Sequence, residues 1–330
     1  MKNSRKFLTV GIIVMLVTVF ICFTGCTKTE KYLDDEALNK AYKMYKKHPS
    51  NETLSEYRKL LSEYNKKDNL KTESNSNNSQ ENKIISVTSI IKETPAEYFD
   101  YEKDGDHIII TGLLKLDLDS IVIPKKIEDL TVTKISDYAF LNFESLTKVT
   151  IPDTVTEIGN SAFGNCINLS SITIPDSVNK IGDSAFSKCE RLTSITIPQG
   201  VTEIGKKTFY CCTNLRSITI PNSVTEIGEL SFGTCFNLSN IILPNGVTKI
   251  DNSAFSACHS LSSITIPGSV IEISEGVFSN CSNLKGVIIQ PGVKVISDFA
   301  FSSTNLESVT IPDSVEKISK YAFHDTEIEL

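Results

Sequence analysis

Tryptophan is absent from this 330-residue chain, and histidine occurs only at His48, His107, His259 and His324. The first absence removes the best side chain for stacking on sugars and for anchoring an interface. The four histidines are scattered, and none sits in metal-ligand spacing. Neither a glycine-rich phosphate loop nor a nucleophile elbow is present. Positive charge is also in short supply. Lys and Arg number 33 against 40 Asp and Glu, and the first 83 residues hold 15 of the basic and 10 of the acidic groups, which leaves 18 against 30 on residues 84–330. A region this acidic repels phosphate backbones, which excludes nucleic acid as a partner. Carboxylates recur in pairs such as Glu203 and Glu226, the one foothold for a hydrolase, but they occupy variable outward positions where a solvated face explains them. The sequence therefore favours a protein without catalysis, cofactor or metal.

Long apolar runs are confined to the amino end. Lys2, Arg5 and Lys6 precede an apolar stretch from Phe7 to Phe23, the pattern of a secretory signal. The stretch ends in Phe23-Thr24-Gly25-Cys26, which resembles the lipobox of bacterial lipoproteins, with Phe23 where that family usually has Leu. The resemblance implies cleavage of residues 1–25, a lipid on Cys26, and placement on the outer face of the bacterial cytoplasmic membrane or at the cell surface. An uncleaved signal helix, or secretion after cleavage elsewhere, are the alternatives. Within the next segment, 26–64, Leu33, Ala37, Leu38, Ala41, Tyr42 and Tyr45 fall on one helical stripe, and Leu54, Tyr57, Leu60, Leu61 and Tyr64 on another. His48-Pro49-Ser50-Asn51 separates them, so a short helical hairpin is expected. Residues 65–83 are almost free of apolar side chains and read as a disordered spacer.

Residues 84–117 hold a cap region. Lys103-Asp104-Gly105-Asp106 separates two alternating segments and predicts a β-hairpin. Asp100, Glu102 and Asp104 before Gly105 imitate the start of a calcium loop, but Thr111 stands where a bidentate Glu belongs. The hairpin is expected to cover the open edge of the carboxyl-terminal region.

That region, 118–330, is built on a 23-residue phrase starting at Leu146, Leu169, Leu192, Leu215, Leu238 and Leu261, then at Leu284 and, 22 residues later, at Leu306. Repetition at this period marks a solenoid, in which stacked neighbours share one core. In each copy L-x-x-I-x-I, as at Leu192, Ile195 and Ile197, predicts a short strand with one buried face, and Pro ends it, as at Pro198. A second apolar pair such as Val201 and Ile204 comes next, often trailed by Gly. Phe then occupies one column at 140, 163, 186, 209, 232, 255, 278, 301 and 323, which predicts a stacked aromatic spine. The phrase L-T-S-I-T-I-P-x-x-V-T-E-I-G-x-x-A-F-x-x-C-x-N resembles the BspA-type leucine-rich repeat over residues 98–330. That resemblance implies a right-handed β-rich solenoid of about nine repeats, and a role at the cell surface in adhesion to extracellular or cell-surface protein.

Cys166, Cys189, Cys212, Cys235, Cys258 and Cys281 recur at 23-residue intervals, in a column continued by Phe143, Thr304 and Thr326. Side chains stacked in successive repeats are poorly set for disulfides, so buried free thiols are expected, with Cys211 exposed. Between the buried strand positions lie two outward rows. One is Thr150, Thr173, Thr196, Thr219, Ile242, Thr265, Ile288 and Thr310; the other holds Lys148, a run of serines, Asn240 and Gly286. With Arg216 and Lys285 at their flank, these rows are the candidate binding surface, although threonine in a strand needs no ligand to explain it. The expected function is adhesion or scaffolding by a lipid-anchored surface protein. The alternative is a structural envelope component that assembles through its helical hairpin; the sequence carries no sign of the oligomeric state.

Overall fold

The computed structural model describes residues 92–115 and 117–328. The apolar run, Cys26, the helical-hairpin segment and the spacer lie outside the described residues. Among those described, no helix is long and apolar enough to cross a membrane.

Strand β1 (Phe99–Asp104) pairs antiparallel with β2 (His107–Leu113), and Gly105 takes φ 57 in the two-residue connection. A glycine adopts that angle without a Cβ clash, which is why the chain reverses here. Asp100, Glu102 and Asp104 are residues of β1. Strands β3 (Ser120–Val122), β4 (Lys126–Ile127) and β5 (Leu130–Ile135) come next, and β2 lies parallel to β5. The hairpin thus covers the edge of the first coil, as its sequence predicts.

Each later coil adds a strand from the L-x-x-I-x-I phrase and a two-residue strand from the second apolar pair. These are β6 and β7 (Lys148–Thr150, Glu157–Ile158), β8 and β9 (Ser171–Thr173, Lys180–Ile181), β10 and β11 (Ser194–Thr196, Glu203–Ile204), and β12 and β13 (Ser217–Thr219, Glu226–Ile227). The coil at Leu238 contributes only β14 (Lys249–Ile250); then come β15 and β16 (Ser263–Ile266, Glu272–Ile273), β17 and β18 (Gly286–Ile289, Val295–Ile296), and β19 and β20 (Ser308–Thr310, Lys317–Ile318). Equivalent residues pair in parallel and in register, as Ser194, Ile195 and Thr196 do with Ser217, Ile218 and Thr219. Two ladders result, one from the longer strands and one from the two-residue strands.

The buried columns are those the repeat predicts: Leu192, Val201, Ile204, Phe209 and Cys212 and their equivalents up to the coil at Leu284 are nearly inaccessible to solvent, whereas in the last coil Val315 and Phe323 are half-buried and Ile318 is exposed. The phenyl rings from Phe140 to Phe323 stack face to face, with centroids 5.1 to 5.6 Å apart. A parallel stack of in-register strands imposes that spacing, because equivalent side chains of adjacent coils lie one inter-strand step of about 5 Å apart.

Around each Phe the backbone does something the sequence does not announce. From Phe140 to Phe301 two residues four apart have positive φ, and apart from Gly276 none of them is glycine, as with Ser161 and Asn165 or Lys207 and Cys211; at Phe323 only Asp325 does so. Each such non-glycine residue costs about 1–2 kcal/mol. The conformation aims alternate amides at the next coil: Ser161, Phe163 and Asn165 donate to the carbonyls of Asp183, Ala185 and Ser187 at 2.7–2.8 Å. The glycine column has another cause, close approach. A Cβ on Gly159 would lie 2.4 Å from the Asp137 amide nitrogen, and one on Gly182 2.6 Å from that of Asn160.

Both strand ladders lapse at the same two places. Arg216, Thr225 and Gly228 donate to Thr193, Thr202 and Ile204 at 2.8–2.9 Å. Among the described residues, the equivalent amides Thr193, Thr202 and Gly205 make no such bonds to the coil at Leu169. The same holds of Ser262, Ile271 and Ser274 toward the coil at Leu238, where the Ser274 hydroxyl instead reaches the Ile250 carbonyl at 2.6 Å. At both places the Phe-bearing edge stays bonded, as by Phe186 to Thr208 and Phe255 to Val277, each at 2.9 Å. The array is therefore three hydrogen-bonded blocks on one continuous core.

Candidate functional site

Most of the recurring polar residues of the repeat serve the fold. The hydroxyls of Ser177, Ser223 and Ser269 donate to the carbonyls of Val155, Val201 and Val247 in the preceding coil. The amides of Asn168, Asn214 and Asn237 donate to Glu144, Glu190 and Thr213 in the same way. Asp137, Asn160 and Asp183 each accept the backbone amide of the equivalent residue one coil on, at 2.7–2.8 Å. Such bonds satisfy backbone groups that the corners would otherwise leave unpaired.

The six column thiols are free and fully buried. Each S–H donates to the carbonyl of a Phe one coil earlier, from Cys166 on Phe140 to Cys281 on Phe255, at 3.0–3.3 Å. The column thus selects a compact donor, a demand beyond the small volume evident from the sequence. Thr304 and Thr326 meet it by donating to Phe301 and Phe323 of their own coils. Burial pushes the thiols of Cys189, Cys212, Cys235 and Cys258 well above the ordinary range, so they stay protonated and unreactive. Cys211, expected to be exposed, is half-buried and accepts a hydrogen bond from the Thr234 hydroxyl at 3.0 Å.

The outward rows of the longer strands are what remains. Thr173, Thr196, Thr219, Thr265 and Thr310 face solvent, and Thr150 is half-buried. Lys148, Arg216, Asn240 and Lys285 are exposed beside them. Ile242 and Ile288 stand out of the hydroxyl rows, 77% and 55% exposed. From Thr147 to Glu307 the charges at these outward positions are Lys148, Arg216, Lys285 and Glu307 alone. Lys285 is engaged by Glu307 at 2.7 Å, whereas Lys148 and Arg216 make no ion pair among the described residues. The two-residue strands present a different face, with Glu157 held between Lys134 and Lys180 at 3.1 and 2.9 Å. Partial burial raises the Glu157 carboxyl, but the hydrogen bonds and charges of the two lysines outweigh it and hold it below the ordinary range.

One aromatic pair was not legible as a site. Phe236, 39% exposed and just ahead of the coil that carries Asn240 and Ile242, stacks on His259 at the end of that coil, with ring centroids 4.7 Å apart. Its only signal in the sequence is a large ring at a column that otherwise holds unlike side chains. Among the described residues no group of three His, Cys, Asp or Glu is placed to hold a metal.

A surface of hydroxyls, two isoleucines and a few cations on a rigid frame supports contact with another macromolecule. Comparison with known proteins bears on the frame. The profile of the family described as "BspA type Leucine rich repeat region" matches in 6 copies over residues 114–229 and 202–329. No curated protein matches. Among solved structures, the chain is similar to the leucine-rich repeat protein TpLRR of T. pallidum, with 31% identity over 62% of this chain and 84% of that one, at a TM-score of 0.45. It is also similar to a leucine-rich repeat protein of Bacteroides ovatus, with 25% identity over 72% of this chain and 80% of that one, at 0.42. A leucine rich cell surface protein of Faecalibacterium prausnitzii shares 27% over 72% of this chain and 93% of that one, at 0.37. With the profile covering well over half of its length, the chain belongs to the BspA-type leucine-rich repeat family.

Proposed function

We propose that this protein is a non-catalytic binding module, held outside the cytoplasmic membrane by a lipid on Cys26, whose longer-strand face docks extracellular or cell-surface protein. The observation that carries the reading is the division of labour among polar residues. The corner serines, asparagines and aspartates are spent on bonds between coils, while the strand rows, including Ile242 and Ile288, face solvent except at half-buried Thr150, and their side chains make no bond within the fold among the described residues. A parallel face of this kind offers broad contact, and repeat arrays use extended faces for that purpose. Phe23-Thr24-Gly25-Cys26 after an apolar run supports the anchor.

The test uses the full chain in a bacterial host. Metabolic labelling with a fatty-acid analogue is expected to mark the protein and to fail for Cys26→Ala. Immobilised on beads, the full chain is expected to bind members of a panel of purified extracellular matrix proteins, and Thr196→Lys with Thr219→Lys to abolish that binding. Retention of lipid by Cys26→Ala refutes the anchor. Binding that survives the lysines but is lost on deleting residues 31–64 refutes the strand face, and favours assembly through the amino-terminal segment.

A further inference from the structure

Three independent irregularities meet on one coil. The Ser-x-Thr pattern of the outward rows gives way to Asn240 and Ile242. The longer-strand ladder fails at the same coil, where a single bridge from Ser217 to Asn240 replaces a strand. The exposed Phe236–His259 stack brackets it, with Phe236 just before the coil and His259 at its end. Gly286 and Ile288 break the outward rows in a later coil and the ladders also lapse ahead of β10, but the coil at Leu238 breaks several rules together, which marks it as the place where selection has acted on something other than folding. The sixfold recurrence of S-I-T or its close variants shows that a regular strand was available at this position.

Charge indicates the occupant. Residues 84–330 carry 30 acidic against 18 basic groups, yet at the outward positions from Ser170 to Thr265 the one charge is the Arg216 guanidinium, immediately before β12 and without an ion pair among the described residues. Arg216 lies one coil from Ile242, and Ile288 lies two coils beyond Ile242. Coils are spaced by about 5 Å, so the two isoleucines are roughly 10 Å apart along the array, the reach of about three residues of extended chain. Resting on the protein-binding reading above, we infer that Phe236, Asn240, Ile242, Arg216 and Ile288 form the principal contact site. Its partner is an extended polypeptide segment bearing a carboxylate next to apolar side chains about three residues apart. The carboxylate meets Arg216 in a fork-shaped pair, and the apolar side chains pack against Ile242 and Ile288. Arginine and exposed large apolar side chains grouped in this way are the composition of an interface centre.

The experiment selects random 12-residue peptides displayed on phage against the full chain, then measures synthetic copies of the enriched peptides by fluorescence polarisation. Enriched sequences are expected to contain Asp or Glu within about three residues of two large apolar side chains, and to bind more weakly as salt rises. Ile242→Thr restores the residue typical of its row, and Arg216→Thr places there the residue that the equivalent positions 147 and 193 carry, so both fold, and each is expected to weaken binding at least tenfold. Thr173→Asn, on the same face in the first block, is expected to change it less than twofold. Enriched peptides without acidic residues, or binding unaltered by Ile242→Thr and Arg216→Thr, overturn this site while leaving a protein-binding strand face in place. Failure of the full chain to enrich any peptide, together with failure to bind the protein panel, overturns both.

Discussion

Truncation of one ring in the aromatic spine gives a sharp measure of how the coils depend on each other. Phe232 is fully buried and stacks on Phe209 at 5.5 Å and on Phe255 at 5.1 Å. Burial of such a side chain contributes about 2–3 kcal/mol, and each stacked neighbour adds about 0.5–1.5 kcal/mol. Phe232→Ala is therefore expected to cost about 4–5 kcal/mol, at the upper end of the range for a buried Phe. Phe323 is only half-buried and has one stacked neighbour, Phe301, at 5.2 Å. By the same reasoning Phe323→Ala costs roughly 2 kcal/mol. Urea unfolding followed by far-ultraviolet circular dichroism measures both, with hydrogen exchange reporting which coils open first. Equal losses for the two variants, or a loss below about 1 kcal/mol for Phe232→Ala, would refute the additive stack and show that neighbouring coils relax to fill the gap.

Further outcomes rest on single groups. The Ser231 hydroxyl is buried without a partner among the described residues, in a column that holds alanine at 139, 162, 185, 254, 300 and 322, so Ser231→Ala is expected to stabilise the fold by about 1 kcal/mol in the same unfolding assay. The Glu157 carboxyl, held low by Lys134 and Lys180, contributes stability that is present above the ordinary glutamate pKa of about 4.3 and lost as pH falls through the lower folded value. Glu157→Gln is accordingly expected to remove part of the acid-side loss in a melting-temperature profile between pH 6 and 2. Where the ladders lapse, the amides of Thr193, Thr202 and Gly205 are expected to exchange at least about tenfold faster than those of Arg216, Thr225 and Gly228. Equal protection in a hydrogen-exchange experiment would show the ladders to be continuous in solution.

Leu, Ile, Val, Phe and Cys at fixed intervals were enough to define the coil, because an apolar column repeated every 23 residues has no other way to leave water than to stack. The cap hairpin was equally legible, since Gly105 marks a reversal that few residues permit. The outward rows could be named by elimination once the buried columns were known. The sequence did not disclose the paired left-handed residues around each Phe, because non-glycine residues such as Ser161 and Asn165 occupy them and only the bonds to the next coil compensate their cost. Nor did it disclose that the thiols act as donors to Phe carbonyls, since in the sequence a buried cysteine and a buried apolar residue look alike. The division into three blocks, and the coincidence of one division with Asn240, Ile242 and the Phe236–His259 stack, arise from contacts between residues 23 or more apart. Composition and spacing determined the repeating coil; how each coil meets the next, and therefore where the surface departs from its own rule, was decided only by the folded array.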